Sequence, residues 1–210
     1  MQQLILLGDY FGTFAFALTG GLAAAEKRLD LGGFFLLAFV TGVGGGTARD
    51  LILGRGGVFW ADEPAYIVLC LAGAVITFLW GARVERLHTA LVWGDAVGLA
   101  IFAVIGAGIS ILEGYRPITA VLMGALTATG GGIIRDVIRN ELPLVLHREV
   151  YVSAAVAGAI VLVTLHGLGA PAPLALGAGA AIAFGLRAVG IVLDLHLPVY
   201  GARGANGRID

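Results

Sequence analysis

Apolar residues along this chain run in unbroken stretches of about 20, separated by short clusters of charge, proline and glycine. A helix rises 1.5 Å per residue, so each stretch matches the roughly 30 Å hydrocarbon thickness of a bilayer. The pattern predicts seven transmembrane helices, over residues 4–25, 31–54, 65–82, 90–112 and 118–138, with a final charge-free run from 150 to 186 cut in two by the Gly167–Pro173 turn and ending near Leu193 and Asp194. The glycine-rich segment 201–210 reads as a frayed tail.

The seven stretches are not independent, because a shift of 86 residues aligns the first three with the next three. It pairs Gly8 and Asp9 with Gly94 and Asp95, then Gly12 with Gly98, Phe16 with Phe102, Gly20 with Gly106 and Thr41 with Thr127. It also superposes Gly44-Gly45-Gly46-Thr47-Ala48-Arg49-Asp50 on Gly130-Gly131-Gly132-Ile133-Ile134-Arg135-Asp136. Three crossings separate each residue from its counterpart, and an odd number reverses direction. The expected fold is therefore all-α and membrane-integral, with two inverted three-helix repeats at 1–86 and 87–172 and a seventh span with its tail at 173–210.

Composition agrees with a membrane interior and narrows the function. The chain is 59% hydrophobic and 13% charged, about half the charged share of a soluble domain, with a mean hydropathy of +0.94. A net charge of −1 offers no basic surface for nucleic acid. The lone Cys70 supports neither an intrachain disulfide nor a cysteine metal site, and His88, His147, His166 and His196 lack ligand spacing. No Ser-His-Asp string, cysteine cluster or phosphate loop points to an enzyme, a cofactor or a resident metal. Met1-Gln2-Gln3-Leu4 lacks a positive leader, so the first span is expected to be retained. Lys27, Arg28, Arg83, Arg86, Arg139, Arg148, Arg203 and Arg208 fall on one side and only Arg55 and Arg116 on the other. Basic loops stay in the cytoplasm, which predicts an outside amino terminus and a cytoplasmic carboxyl terminus.

Candidate chemistry gathers at the two glycine triplets. Three consecutive glycines remove roughly 3 kcal/mol of helix propensity, so both helices are expected to break there. Gly45 lies 14 residues into its span (45 − 31 = 14), roughly 21 Å along it, and Gly131 lies equally deep in a span running the other way. The two breaks would flank the midplane and expose carbonyls for cations or N–H groups for anions. Close helix packing through Gly42 and Gly46, and through Ala128 and Gly132, is the alternative use of the same residues. Arg49, Asp50, Arg135 and Asp136 either line and gate a pathway or snorkel to headgroups. Adjacent positions point about 100° apart, so each charge is expected to find its partner elsewhere. Asp9 and Asp95 read as acids at a cation-attracting mouth or as helix-start charges. Phe16 and Phe102 read as a hydrophobic constriction or as ordinary core. Arg187 is expected to snorkel or pair.

These features resemble the prokaryotic branch of the trimeric intracellular cation (TRIC) channel family: seven spans, inverted repeats and a Gly-Gly-Gly-x-x-Arg-Asp string in the second and fifth spans. The resemblance implies a homotrimer in the cell membrane with a pore in each protomer, formed by spans one, two, four and five and kinked at Gly44–Gly46 and Gly130–Gly132. It implies permeation by monovalent cations, chiefly potassium and also sodium, with Arg49 and Arg135 near the gate and membrane lipids as contacts. Animal relatives carry basic tails; here the tail offers only Arg203 and Arg208. Some bacterial proteins with the same paired domain are described as glycine transporters, and a zwitterion would also suit paired acids and arginines. A small-solute transporter is thus the second reading.

Overall fold

The computed structural model describes residues 1–84, 86–147 and 150–195. Glu85, Arg148, Glu149, His196, Arg203, Arg208 and the expected tail at 201–210 lie outside the described residues. Eight α-helices form among those described: α1 (Gln2–Glu26), α2 (Leu31–Leu53), α3 (Phe59–Asp62), α4 (Ala65–Trp80), α5 (Leu87–Leu112), α6 (Pro117–Ile138), α7 (Val152–Gly167) and α8 (Ala172–Val192). Seven of them fall on the seven apolar stretches. The eighth, α3, is a single turn in the loop after α2. Five helices (α1, α2, α5, α6 and α8) are long and apolar enough to cross a membrane, whereas α4 and α7 are apolar but have 16 residues each.

The helix ends follow local chemistry. The Asp30 side chain caps α2 by accepting from the Gly33 N–H at 2.8 Å, and Gly54 closes the same helix at φ +65°, a conformation that a side chain would oppose. Pro117 opens α6, where its missing N–H has no helical partner to lose.

Packing is organised around α1 and α5. Helix α1 lies against α2, α4 and α5, and α5 against α6, α7 and α8, while α2 crosses α6. Outward faces carry exposed Phe11, Leu51, Ile118 and Val192, a greasy surface suited to lipid. Inward faces are small or aromatic, with Ala17, Ala103, Phe16 and Phe102 fully buried.

Contacts between the two halves and within each half come in equivalent pairs. A Cβ added at Gly12 would sit 2.7 Å from the Phe102 ring, and one at Gly98 would sit 2.1 Å from the Phe16 ring. One added at Gly20 would meet the Leu37 carbonyl oxygen at 2.3 Å, and at Gly106 the Met123 carbonyl oxygen at 2.7 Å. Each pair is related by the 86-residue shift (12 to 98, 16 to 102; 20 to 106, 37 to 123). Equivalent positions of the two halves thus make equivalent contacts.

The glycine triplets correct the expectation of broken helices. Helix α2 runs from Leu31 to Leu53 and α6 from Pro117 to Ile138 without interruption at Gly44–Gly46 or Gly130–Gly132. What the glycines provide is contact at the α2–α6 crossing. A Cβ at Gly45 would lie 2.1 Å from the Thr127 carbonyl oxygen, and one at Gly131 equally close to that of Thr41. In an apolar setting a broken helix would strand backbone polar groups, whereas a close crossing of intact helices satisfies them.

Candidate functional site

At the centre of the molecule the Phe16 and Phe102 rings meet edge to face, with centroids 5.1 Å apart and both side chains buried. They are the pair read from the sequence as a constriction or as ordinary core, held where α1 crosses α5 by the absence of side chains at Gly12 and Gly98. On either side of this aromatic pair lies a cluster of buried charge, one from each half.

In the second half the cluster is closed. The Arg135 Nη1 donates to Asp95 Oδ1 at 2.8 Å, Tyr151 Oη donates to Asp95 Oδ2 at 2.8 Å, and Arg135 Nε donates to Asp136 Oδ1 at 2.7 Å. The remaining Asp136 oxygen accepts the Leu144 N–H at 3.1 Å. Arg135 and Asp95 are both fully buried, so neither is a snorkelling residue nor an open mouth acid. Arg187, expected to snorkel or pair, is also fully buried, its guanidinium 5.0 Å from the centroid of the Tyr151 ring.

The first half repeats most of this geometry. Arg49 Nε donates to Asp50 Oδ1 at 2.8 Å, the Phe59 N–H donates to Asp50 Oδ2 at 3.0 Å, and Tyr66 Oη donates to Asp9 Oδ2 at 3.1 Å. Adjacent arginine and aspartate therefore do pair in both halves, contrary to the expectation from helical angles, because the arginine stem is long enough to fold its head back over its neighbour. The halves differ most at the first aspartate. Among the described residues no donor reaches Asp9 Oδ1, and the Arg49 Nη1 has no acceptor. Arg49 Nη2 lies 2.8 Å from Asp50 Oδ1 without hydrogen-bond alignment, and its guanidinium sits 5.5 Å from the centroid of the Phe59 ring.

Two cavities open at the opposite ends of α1. One, of about 480 Å³, is bordered by Asp9, Arg55, Phe59, Glu63, Tyr66 and Glu113. The other, of about 310 Å³, is bordered by Glu26, His88, Asp136, Arg139, Glu141 and His147. Each has three acids against one arginine among these residues, so each favours a cation over an anion. An ion pair flanks each cavity. Arg55 Nε donates to Glu113 at 3.0 Å at the first, and Lys27 pairs with Glu141 at the second. The 86-residue shift converts one pair into the other with the charges exchanged (27 to 113 and 55 to 141). Arg139 also pairs with Glu26 there, and His88 Nδ1 lies 3.6 Å from the same carboxylate.

The sequence pattern missed Tyr66 and Tyr151, and the backbone donors Phe59 and Leu144. Each pair is separated by 85 residues rather than 86 (151 − 66 = 85; 144 − 59 = 85). One residue is missing from the second half between Arg135-Asp136 and these positions, so a gapless shift passes over them.

Comparison with known proteins places the same duplication on record. The family model described as "Glycine transporter" matches the chain twice, over residues 6–82 and 92–167. The UPF0126 inner membrane protein YadS of Escherichia coli K12 is 38% identical over 208 residues, covering 98% of this chain and all of that protein. A UPF0126 membrane protein of Deinococcus radiodurans is 42% identical over 153 residues, covering 72% of this chain and 71% of that one. Among solved structures, the TRIC trimeric intracellular cation channel orthologue from Rhodobacter sphaeroides is similar at a TM-score of 0.89 with 50% identity, covering 91% of this chain and 99% of that one. A prokaryotic TRIC channel is similar at a TM-score of 0.87 with 30% identity, covering 94% of this chain and all of that one.

Proposed function

The chain belongs to the prokaryotic TRIC channel family, and from that membership we propose that it is a potassium-permeable cation channel of the cell membrane, assembled as a homotrimer with one path in each protomer. The observation that carries this reading is the pair of acidic cavities at opposite ends of α1 with the Phe16–Phe102 contact between them. Acidic walls in a low-dielectric setting concentrate cations, and a dry aromatic contact bars their passage until it separates. The path so defined runs among α1, α2, α5 and α6. Its lining is side chains rather than freed backbone. Arg49, Asp50, Arg135 and Asp136 hold the helices in register beside the aromatic pair, and a shift of either dyad would move it. Seven spans in two inverted repeats, with the amino terminus outside, complete the arrangement.

A second reading, a carrier for a small zwitterion such as glycine, draws support from the description of the family model and from the unpaired Asp9 oxygen and Arg49 nitrogen in one cluster. One experiment separates the two. Purified protein is placed in a planar bilayer under a KCl gradient and in liposomes with labelled glycine. Discrete current steps reversing near the potassium equilibrium potential are expected, with larger or longer openings in Phe16→Ala. Silence in the bilayer with saturable glycine uptake would replace the channel by the carrier.

A further inference from the structure

The second half of the molecule is a filled template for the first. Asp95 has both oxygens engaged, one by a tyrosine hydroxyl and the other by a guanidinium nitrogen. Asp9, its counterpart, has the tyrosine but not the guanidinium, because Arg49 is turned onto Asp50 and Phe59. An acceptor-only oxygen on a side chain 4% exposed, with no donor among the described residues, is an expensive arrangement for a fold to keep. Asp9 itself borders the cavity of about 480 Å³, whereas in the second half it is Asp136 and not Asp95 that borders a cavity.

We infer that Asp9 Oδ1 is a binding site for a monovalent cation, which takes from the cavity the position that the Arg135 nitrogen holds at Asp95. The inference rests on the channel reading and gives it a named ion contact ahead of the aromatic pair. The cavity selects the sign of charge: of its charged walls, Asp9, Glu63 and Glu113 are acidic, the single base, Arg55, is already shared between Asp50 and Glu113, and the buried Arg49 behind Asp9 is paired with Asp50. The donor set selects the valence. A divalent ion asks for six or more oxygens with several carboxylates among them, whereas Asp9 offers one free carboxylate oxygen beside the Tyr66 hydroxyl. The Phe59 and Tyr66 rings, 4.5 Å apart between centroids, add aromatic surface that a weakly hydrated single charge tolerates.

The test is thermal unfolding of the full-length protein in detergent, in KCl against N-methylglucamine chloride at equal ionic strength. A site occupied only in the folded state should raise the melting temperature by about 3–6 °C per tenfold rise in KCl beyond its dissociation constant. The rise should vanish in Asp9→Asn, return in Asp9→Glu and persist in Asp95→Asn, which lowers the baseline without touching the cavity. Equal melting of the wild type in the two salts overturns the site whether or not any variant folds. So does a rise produced by glycine and not by potassium. A potassium-specific rise in a protein that passes no current would leave the site standing and remove the channel reading, while current without that rise would do the reverse.

Discussion

At the scale of the residue, neighbours that look interchangeable in sequence are not so in the fold. Within the first triplet an added methyl at Gly44 would meet the tip of Ile134 at 2.7 Å, a flexible end that can swing aside. At Gly45 it would meet a backbone oxygen at 2.1 Å, which can move only if α2 and α6 separate. Gly45→Ala should therefore cost about 3 kcal/mol or more and Gly44→Ala less than about 1.5 kcal/mol, measured by unfolding in detergent. Equal effects would mean that the crossing is looser than the contact implies. The two buried arginines differ in the same way. Removing Arg135 strips Asp95 of its only basic partner within 3 Å among the described residues and Asp136 of its closest one there, a loss of about 3–5 kcal/mol for a broken buried pair. Removing Arg49 breaks no bond to Asp9, and Asp50 retains Arg55 at 3.2 Å and the Phe59 N–H at 3.0 Å. Arg135→Met should thus destabilise roughly twice as much as Arg49→Met in the same assay.

At the scale of the element, the long helices were legible because lipid imposes a length and an apolar composition that few other settings require. Asp30 and Gly54 could be read as helix limits for similarly local reasons. The continuity of α2 and α6 could not, since glycine propensities describe helices competing with water. Here a break would strand polar groups while an intact crossing buries Gly45 against Thr127. The four-residue α3 was invisible for want of any periodicity, yet it begins at Phe59, whose N–H holds Asp50. Ion pairs between elements were invisible too, because nothing local links Lys27 at the end of α1 to Glu141 beyond α6. The Lys27 hydrogen bond, followed by its charge, holds the Glu141 carboxyl below the usual carboxylate range. A depressed folded value stabilises above the unfolded pKa of about 4.3 and is lost as pH falls through the folded one. The difference in melting temperature between wild type and Glu141→Gln should accordingly be constant from pH 7 down to about 5 and close as the pH falls through the unfolded value and then the lower folded one. A difference that grew on acidification would contradict the pairing.

At the scale of the whole molecule, the exchanged pairs Arg55–Glu113 and Lys27–Glu141 bear on which way the chain sits in a membrane. The halves share one framework and differ in the sign of the charge carried at equivalent places, so the framework itself has no preferred side. Orientation must come from the residues that break the equivalence. Lys27 and Arg139 stand at one end, and Arg55, shared between Asp50 and Glu113, stands at the other. Because basic loops stay in the cytoplasm, the basic surplus at the Lys27 end predicts the Asp9 cavity outside and the Glu141 cavity within. Cysteine accessibility in intact cells measures this directly, because the native Cys70 is fully buried and contributes little background. Asp62→Cys, on the exposed turn α3, should react with a membrane-impermeant thiol reagent added outside. Leu142→Cys, exposed beside the other cavity, should react only after the membrane is opened. The opposite pattern would turn the molecule over and make Asp9 an ion contact facing the cytoplasm. Labelling of both sites from outside would mean that the two populations coexist, the outcome to expect if so small a charge bias fails to decide between two nearly equivalent halves.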